Sequence, residues 1–180
     1  MAMNCWRSVD VKKDLGANRI NLISTMIGIL VFIILYPMLT LIHPKIKIDE
    51  TDLLLSLISI YLLPFIHSIT HLIPFWISGK RCEYKLRWIG QFIPIMQFRV
   101  RTETSRGIPF LSLLMPTVWI TLPLLIAAIF MDVMPIYYIL IVSVNAGMTF
   151  SDGFYLCNLL QAPRKCIIAG TDKSYDILVK

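Results

Sequence analysis

Apolar residues fall into four long runs along this chain, and polar or proline-containing stretches divide them. The first, Ile20 to Ile42, has 23 residues, enough to cross a hydrocarbon core that needs about 20 residues of helix. A secretory signal core holds about 7 to 15 apolar residues and ends at a small-residue cleavage site. This run ends instead at His43-Pro44, where the proline disfavours helix at the residue before it. A retained membrane helix is predicted, with His43 as an interfacial residue closing it. The second run extends from about Leu53 to Ile77, with Thr51 or Asp52 as N-cap. Pro64 and Pro74 interrupt it, each depriving a carbonyl one turn earlier of its donor. The third spans about Pro109 to Phe130 and bends at Pro116 and Pro123, and Asp132 marks a very short turn. The fourth, Met134 to Phe150, leads into Ser151-Asp152-Gly153, and the spacing of Phe154, Leu156, Leu159 and Leu160 predicts a separate short helix ended by Ala162-Pro163.

Between the second and third runs the period changes. Tyr84 to Trp88 and Gln97 to Thr102 alternate apolar with polar, which predicts two strands paired across the Gly90 to Pro94 region. Such a pair could cover a site, offer an edge to an extended peptide, or form a solvated loop facing lipid headgroups. In the tail, Cys166 to Ile168 and Tyr175 to Val179 read as strands joined around Gly170 to Lys173. The expected fold is an all-α membrane protein. Residues 1–180 form one membrane domain of four transmembrane helices, with a small β insert (78–108) between helices two and three and a short β hairpin in the tail (154–180).

Composition agrees. Of 180 residues, 57% are hydrophobic and 16% charged, and the mean hydropathy is +0.72, more apolar surface than a soluble domain of this size could hide. The formal charge of +6 does not point to nucleic acid, because the basic residues lie between apolar runs. That arrangement suits anchoring among membrane lipids at an anionic face. The N-terminal arm has 4 basic residues, the 43–52 loop 2, the 78–108 loop 7, the 131–133 turn none and the tail from 151 has 4. The positive-inside rule then places both termini and the large loop in the cytoplasm. Cys5, Cys82, Cys157 and Cys166 lack C-x-x-C spacing and read as free thiols.

The candidate chemistry lies in the second span, at His67-Ser68-Ile69-Thr70-His71. Imidazoles four residues apart on a helix differ by about 40° in azimuth and can reach one metal ion. Two such histidines between prolines point to a metal site, since ionisable groups inside a membrane default to function. The bland alternative is a pair of buried polar groups hydrogen-bonded across helices. Haem is disfavoured, because two histidines on one helix face cannot supply both axial positions and His43 is the remaining imidazole. From the outer starts of their spans, His67 and His71 lie about 21 and 27 Å deep at 1.5 Å per residue, and Asp152 about 27 Å. One depth near the cytoplasmic face thus holds two imidazoles and a carboxylate, a ligand set that suits zinc. Asp152 could instead cap the helix after it. Ser68 stands where H-E-x-x-H metallopeptidases carry the glutamate that takes a proton from the attacking water. A hydroxyl with no nearby base cannot do so at neutral pH.

The paired-histidine helix, followed two spans later by Asn145-x6-Asp152-Gly153, resembles the site-2 proteases, intramembrane zinc metallopeptidases. The compact four-span layout, the strand-like insert, Met115-Pro116 and the tail Leu159 to Lys165 resemble more closely the small bacterial membrane proteins of the zincin peptidase type, over roughly residues 50 to 175. The resemblance implies zinc held by His67, His71 and Asp152. It also implies a role for Asn145 in holding substrate backbone or a reaction-centre oxygen, and a bacterial plasma membrane location. Two departures stand out: Ser68 replaces the base, and Asn145 lies one residue closer to Asp-Gly than in the larger family. Two functions remain open. One is a membrane endopeptidase acting on a membrane or juxtamembrane substrate, impaired at Ser68 unless Glu83 or Glu103 supplies another base. The other is a pseudoprotease that binds or sequesters a client in a regulatory or immunity role. Transport is disfavoured by the absence of an inverted repeat.

Overall fold

The computed structural model describes residues 4–42, 50–80, 82–89, 93–100, 104–130, 135–163, 166–170 and 175–179. His43, Asp132, Glu103 and Gly90 lie outside them. Strand β1 (Asn4–Val9) leads into a short helix α1 (Val11–Leu15). The Asp10 carboxylate caps α1, accepting from the backbone N–H groups of Lys12 and Lys13 at 3.0 and 3.3 Å. Gly16, at φ +80°, turns the chain into the long helix α2 (Ala17–Ile42). Helix α3 (Glu50–Thr70) follows, then α4 (Ile73–Ile77). Pro74 has no N–H for the Thr70 carbonyl. The helix accordingly stops at Thr70, and the Leu72 N–H turns back to the Ile69 carbonyl at 2.9 Å.

The insert is an antiparallel pair, β2 (Cys82–Ile89) and β3 (Ile93–Val100), with Tyr84 opposite Phe98 and Lys85 opposite Gln97. This is the pairing that the alternation predicts. A two-residue strand β4 (Thr104–Ser105) precedes α5 (Gly107–Pro116). After Pro116 the third span widens into a π turn (Thr117–Thr121) and continues as α6 (Leu122–Phe130). The last span, α7 (Pro135–Gln161), is one helix of 27 residues. The expected break near residue 150, with a separate helix from Phe154, is not there. A helical glycine such as Gly153 costs only about 1 kcal/mol relative to alanine. Two polar side chains of α7 satisfy themselves on their own helix: the Thr149 hydroxyl donates to the Asn145 carbonyl at 2.7 Å, and Asn158 Nδ2 donates to the Phe154 carbonyl at 2.9 Å. No proline intervenes before Pro163. The end of α7 is capped from outside, as the Arg106 guanidinium donates to the Leu160 and Ala162 carbonyls at 3.1 and 2.9 Å.

Strands β5 (Cys166–Gly170) and β6 (Tyr175–Val179) form the expected hairpin. It is the middle of a larger sheet, order β1-β6-β5-β4, with each neighbouring pair antiparallel. Val9, Leu113, Leu159, Ala162, Cys166, Ile168 and Ile177 form a buried core beneath it. The sheet gathers both ends of the chain and the end of the insert at one end of the helices. Among the described residues, four helices, Ala17–Ile42, Leu53–Ile77, Gly107–Phe130 and Ile136–Gln161, are long and apolar enough to cross a membrane, and this is an all-α membrane protein with small β elements. Their outward faces are apolar: Leu22, Ile33, Leu54 and Trp119 are about half exposed or more.

Helices α2 and α7 approach through matched small residues, Ser24 and Gly28 on one and Ser143 and Gly147 on the other. A Cβ on Gly28 would lie 3.0 Å from the Ser143 carbonyl oxygen, and one on Gly147 would collide with the Ser24 carbonyl oxygen. Close contact of this kind is how helices associate where lipid is as apolar as leucine.

Candidate metal centre

His67 comes from the last turn of α3, His71 from the bend just after it and Asp152 from the middle of α7; all three are buried. The two imidazole rings meet edge to face with centroids 5.1 Å apart. His67 Nε2 and His71 Nε2 lie 3.4 Å apart. Asp152 Oδ2 lies 3.2 Å from His67 Nε2, and Asp152 Oδ1 lies 3.4 Å from His71 Nε2. Among the described residues, these are the histidine, cysteine and carboxylate atoms that converge closely enough to hold a metal ion.

The far side of each ring is held as well. Pro116 has no N–H, which leaves the Ser112 carbonyl one turn earlier without a helical donor. His71 Nδ1–H donates to that carbonyl at 2.8 Å, and the Ser112 hydroxyl donates back to the His71 carbonyl at 2.7 Å. A carbonyl can only accept, so His71 carries a proton on Nδ1, and as a neutral ring it would present the Nε2 lone pair to the cluster. His67 Nδ1 lies 2.9 Å from Asn145 Oδ1. The Asn145 amide in turn donates to Thr121 Oγ1 at 2.9 Å and, at a longer 3.5 Å, to the Pro116 carbonyl.

A divalent metal fits this set. Ligand atoms about 2.0 to 2.1 Å from a tetrahedral zinc stand about 3.3 Å from one another, close to the 3.2–3.4 Å separations here. Asp152 Oδ2 is buried and makes no hydrogen bond although His67 Nε2 lies 3.2 Å away. An uncompensated carboxylate oxygen is costly to bury, and a cation between the three residues removes that cost.

The other expected residues sit differently. Ser68 is buried, and its hydroxyl donates to the Pro64 carbonyl of its own helix at 2.8 Å. Asn145, expected to face substrate, is fully buried with its amide engaged by His67, Thr121 and Pro116. Asp152 starts no helix, which removes the capping role. Ser112 and Thr121 carry no mark in the sequence as ring-orienting residues; the one available signal is Pro116, four residues after Ser112. A model of the family described as “putative zincin peptidase” matches residues 60–167, a range that takes in every residue of this cluster. No curated protein and no solved structure matches the chain.

Proposed function

The chain belongs to the family described as “putative zincin peptidase”, and from that premise we propose that it is a membrane-embedded zinc metallopeptidase homologue of site-2-protease type whose hydrolytic step is impaired. The observation that supports this reading is the convergence of His67 Nε2, His71 Nε2 and both Asp152 oxygens, one of them buried without a hydrogen bond. His67, His71 and Asp152 would hold the zinc. When bound, zinc supplies Lewis acidity, polarising a carbonyl and acidifying water.

The chain's own residues supply less. A peptidase of this type needs a carboxylate beside the first histidine to accept a proton, and Ser68 offers a hydroxyl already committed to the Pro64 carbonyl. The Glu83 side chain and Glu103 lie outside the described residues. Uniform binding without transition-state stabilisation accelerates nothing. A site with its ligands but no base therefore suits a pseudoprotease that captures a membrane or juxtamembrane peptide segment. In this reading both termini and the sheet face the cytoplasm, as the basic residues suggest.

Metal analysis of the purified protein is the test. The native chain is expected to carry about one zinc, and His67→Ala or His71→Ala to lose it, since two remaining ligands rarely retain zinc. Unchanged zinc content in the double histidine variant would reduce the histidines to packing residues.

A further inference from the structure

Resting on the zinc-site reading, we infer that Asn145, held by Thr121 and the Pro116 carbonyl across the π turn of the third span, is a positioning residue that fixes which nitrogen of His67 faces the metal. An asparagine side chain has one accepting end and one donating end. Two groups of the third span meet one end of Asn145, the Thr121 hydroxyl at 2.9 Å and the Pro116 carbonyl at 3.5 Å. A hydroxyl can play either part, but a carbonyl accepts only, so this end is the NH2. Oδ1 must then face His67 Nδ1, 2.9 Å away, and that nitrogen must carry the proton. A neutral imidazole with its proton on Nδ1 has a lone pair on Nε2, the nitrogen 3.2 Å from Asp152 Oδ2 and 3.4 Å from His71 Nε2.

What Asn145 decides is the character of the cluster. With the proton on Nε2, His67 could donate to Asp152 or His71, and the three residues would close into a metal-free hydrogen-bonded group. With the proton held on Nδ1, the cluster has acceptors where a cation belongs. Asn145 is fully buried, so water cannot take over its hydrogen bonds. The π turn supplies the geometry: Pro116 and Thr121, five residues apart, both reach the same amide nitrogen. His71 is set by the Ser112 carbonyl, freed by Pro116. The third span thus provides no ligand yet orients both rings.

The experiment titrates the full-length protein in detergent with zinc alone, in competition with a chromogenic chelator, and reads the His67 ring by 15N NMR in the zinc-loaded native chain. Asn145→Leu, which keeps the size and removes both polar ends, is expected to weaken zinc binding about 10- to 100-fold, the usual effect of losing an outer-shell partner. Thr121→Val is expected to weaken it less. Asn145→Asp keeps the acceptor facing His67 and is expected to restore native affinity or exceed it. In the native chain the His67 proton should reside on Nδ1 with zinc on Nε2. Zinc on Nδ1 would overturn the inference whatever the variants do. Native affinity in Asn145→Leu, or a loss that Asn145→Asp does not restore, would overturn it too. A native chain that takes no zinc overturns the metal-site reading and this inference with it, whereas failure of the variants alone leaves the metal site standing.

Discussion

The impairment proposed at Ser68 is tested most directly by Ser68→Glu, which supplies a carboxylate with one substitution. A positioned general base is worth about 10²- to 10⁴-fold in rate, or about 3 to 5 kcal/mol of transition-state stabilisation at 1.36 kcal/mol per decade. The cost to the fold is of similar size, since the new side chain is longer and its carboxylate enters a buried position. Ser68 is only 8% exposed and its hydroxyl donates to the Pro64 carbonyl at 2.8 Å. Losing that bond removes about 0.5 to 1.5 kcal/mol, and fitting a longer side chain into a packed wall costs about 1 to 3 kcal/mol. Against a typical stability of about 5 to 15 kcal/mol, the variant should still fold. The assay follows cleavage of fluorogenic casein by purified protein in detergent, comparing the native chain, Ser68→Glu, and Ser68→Glu with His67→Ala, each with and without a chelator. Negligible turnover is expected for the native chain, at least a hundredfold more for Ser68→Glu, and none for the double variant. Zinc-dependent cleavage by the native chain at the rate of Ser68→Glu would refute the reasoning and require a base elsewhere.

Three further outcomes are expected. Gly153 has nothing within 4 Å of where a Cβ would stand, whereas a Cβ on Gly147 collides with the Ser24 carbonyl oxygen. Gly153→Ala should therefore raise stability by about 0.5 to 1 kcal/mol and Gly147→Ala lower it by about 1 to 3 kcal/mol, read as opposite shifts of Tm in detergent. Arg106→Ala should release the Leu160 and Ala162 carbonyls and destabilise by about 1 kcal/mol, seen as faster amide exchange confined to the last turn of α7 and β5. Single cysteines placed in residues 82–89 and 166–170 of an otherwise cysteine-free chain should resist a membrane-impermeant reagent in intact cells and react once the membrane is opened; labelling from outside would reverse the topology.

How much of this was readable in the sequence depends on where each signal is written. The spans are legible because each carries its own apolar run, and the β2–β3 pair because alternation on both sides of Gly90 is local. The sheet is not. Asn4–Val9 is a strand only because β6 lies beside it, and Thr104–Ser105 is too short to show a period. The break expected near residue 150 follows from Ser151-Asp152-Gly153 having the composition of a turn; what keeps α7 continuous is packing, which is not visible as a pattern. At the centre, the spacing of His67 and His71 and the depth of Asp152 are arithmetic on the chain. Their orienting partners are not, because the Ser112 partner is a backbone carbonyl and the Thr121 partner acts through a second residue.

The glycine contact bears on the metal centre as well as on stability. Asp152 belongs to α7, while the histidines belong to α3 and the bend after it, so the 3.2 and 3.4 Å approaches hold only if α7 keeps its position along its own axis. Apolar contact with lipid fixes that position only weakly, since a mismatch costs only fractions of a kcal/mol per Å. The Gly28 and Gly147 contacts fix it more firmly, because the Ser143 and Ser24 carbonyls occupy the space left by two absent side chains. A displacement of even one residue along α7, about 1.5 Å, would carry Asp152 out of step with both imidazoles. On the proposed zinc site, Gly147→Ala should therefore lower zinc affinity as well as Tm, although Gly147 is not one of the three candidate ligands, whereas Gly153→Ala, next to Asp152 but with open space, should leave the affinity as it is. Measuring both by chelator competition separates position along the helix from proximity to the site. Equal zinc affinity in the two variants would mean that α7 is held in register by something other than α2.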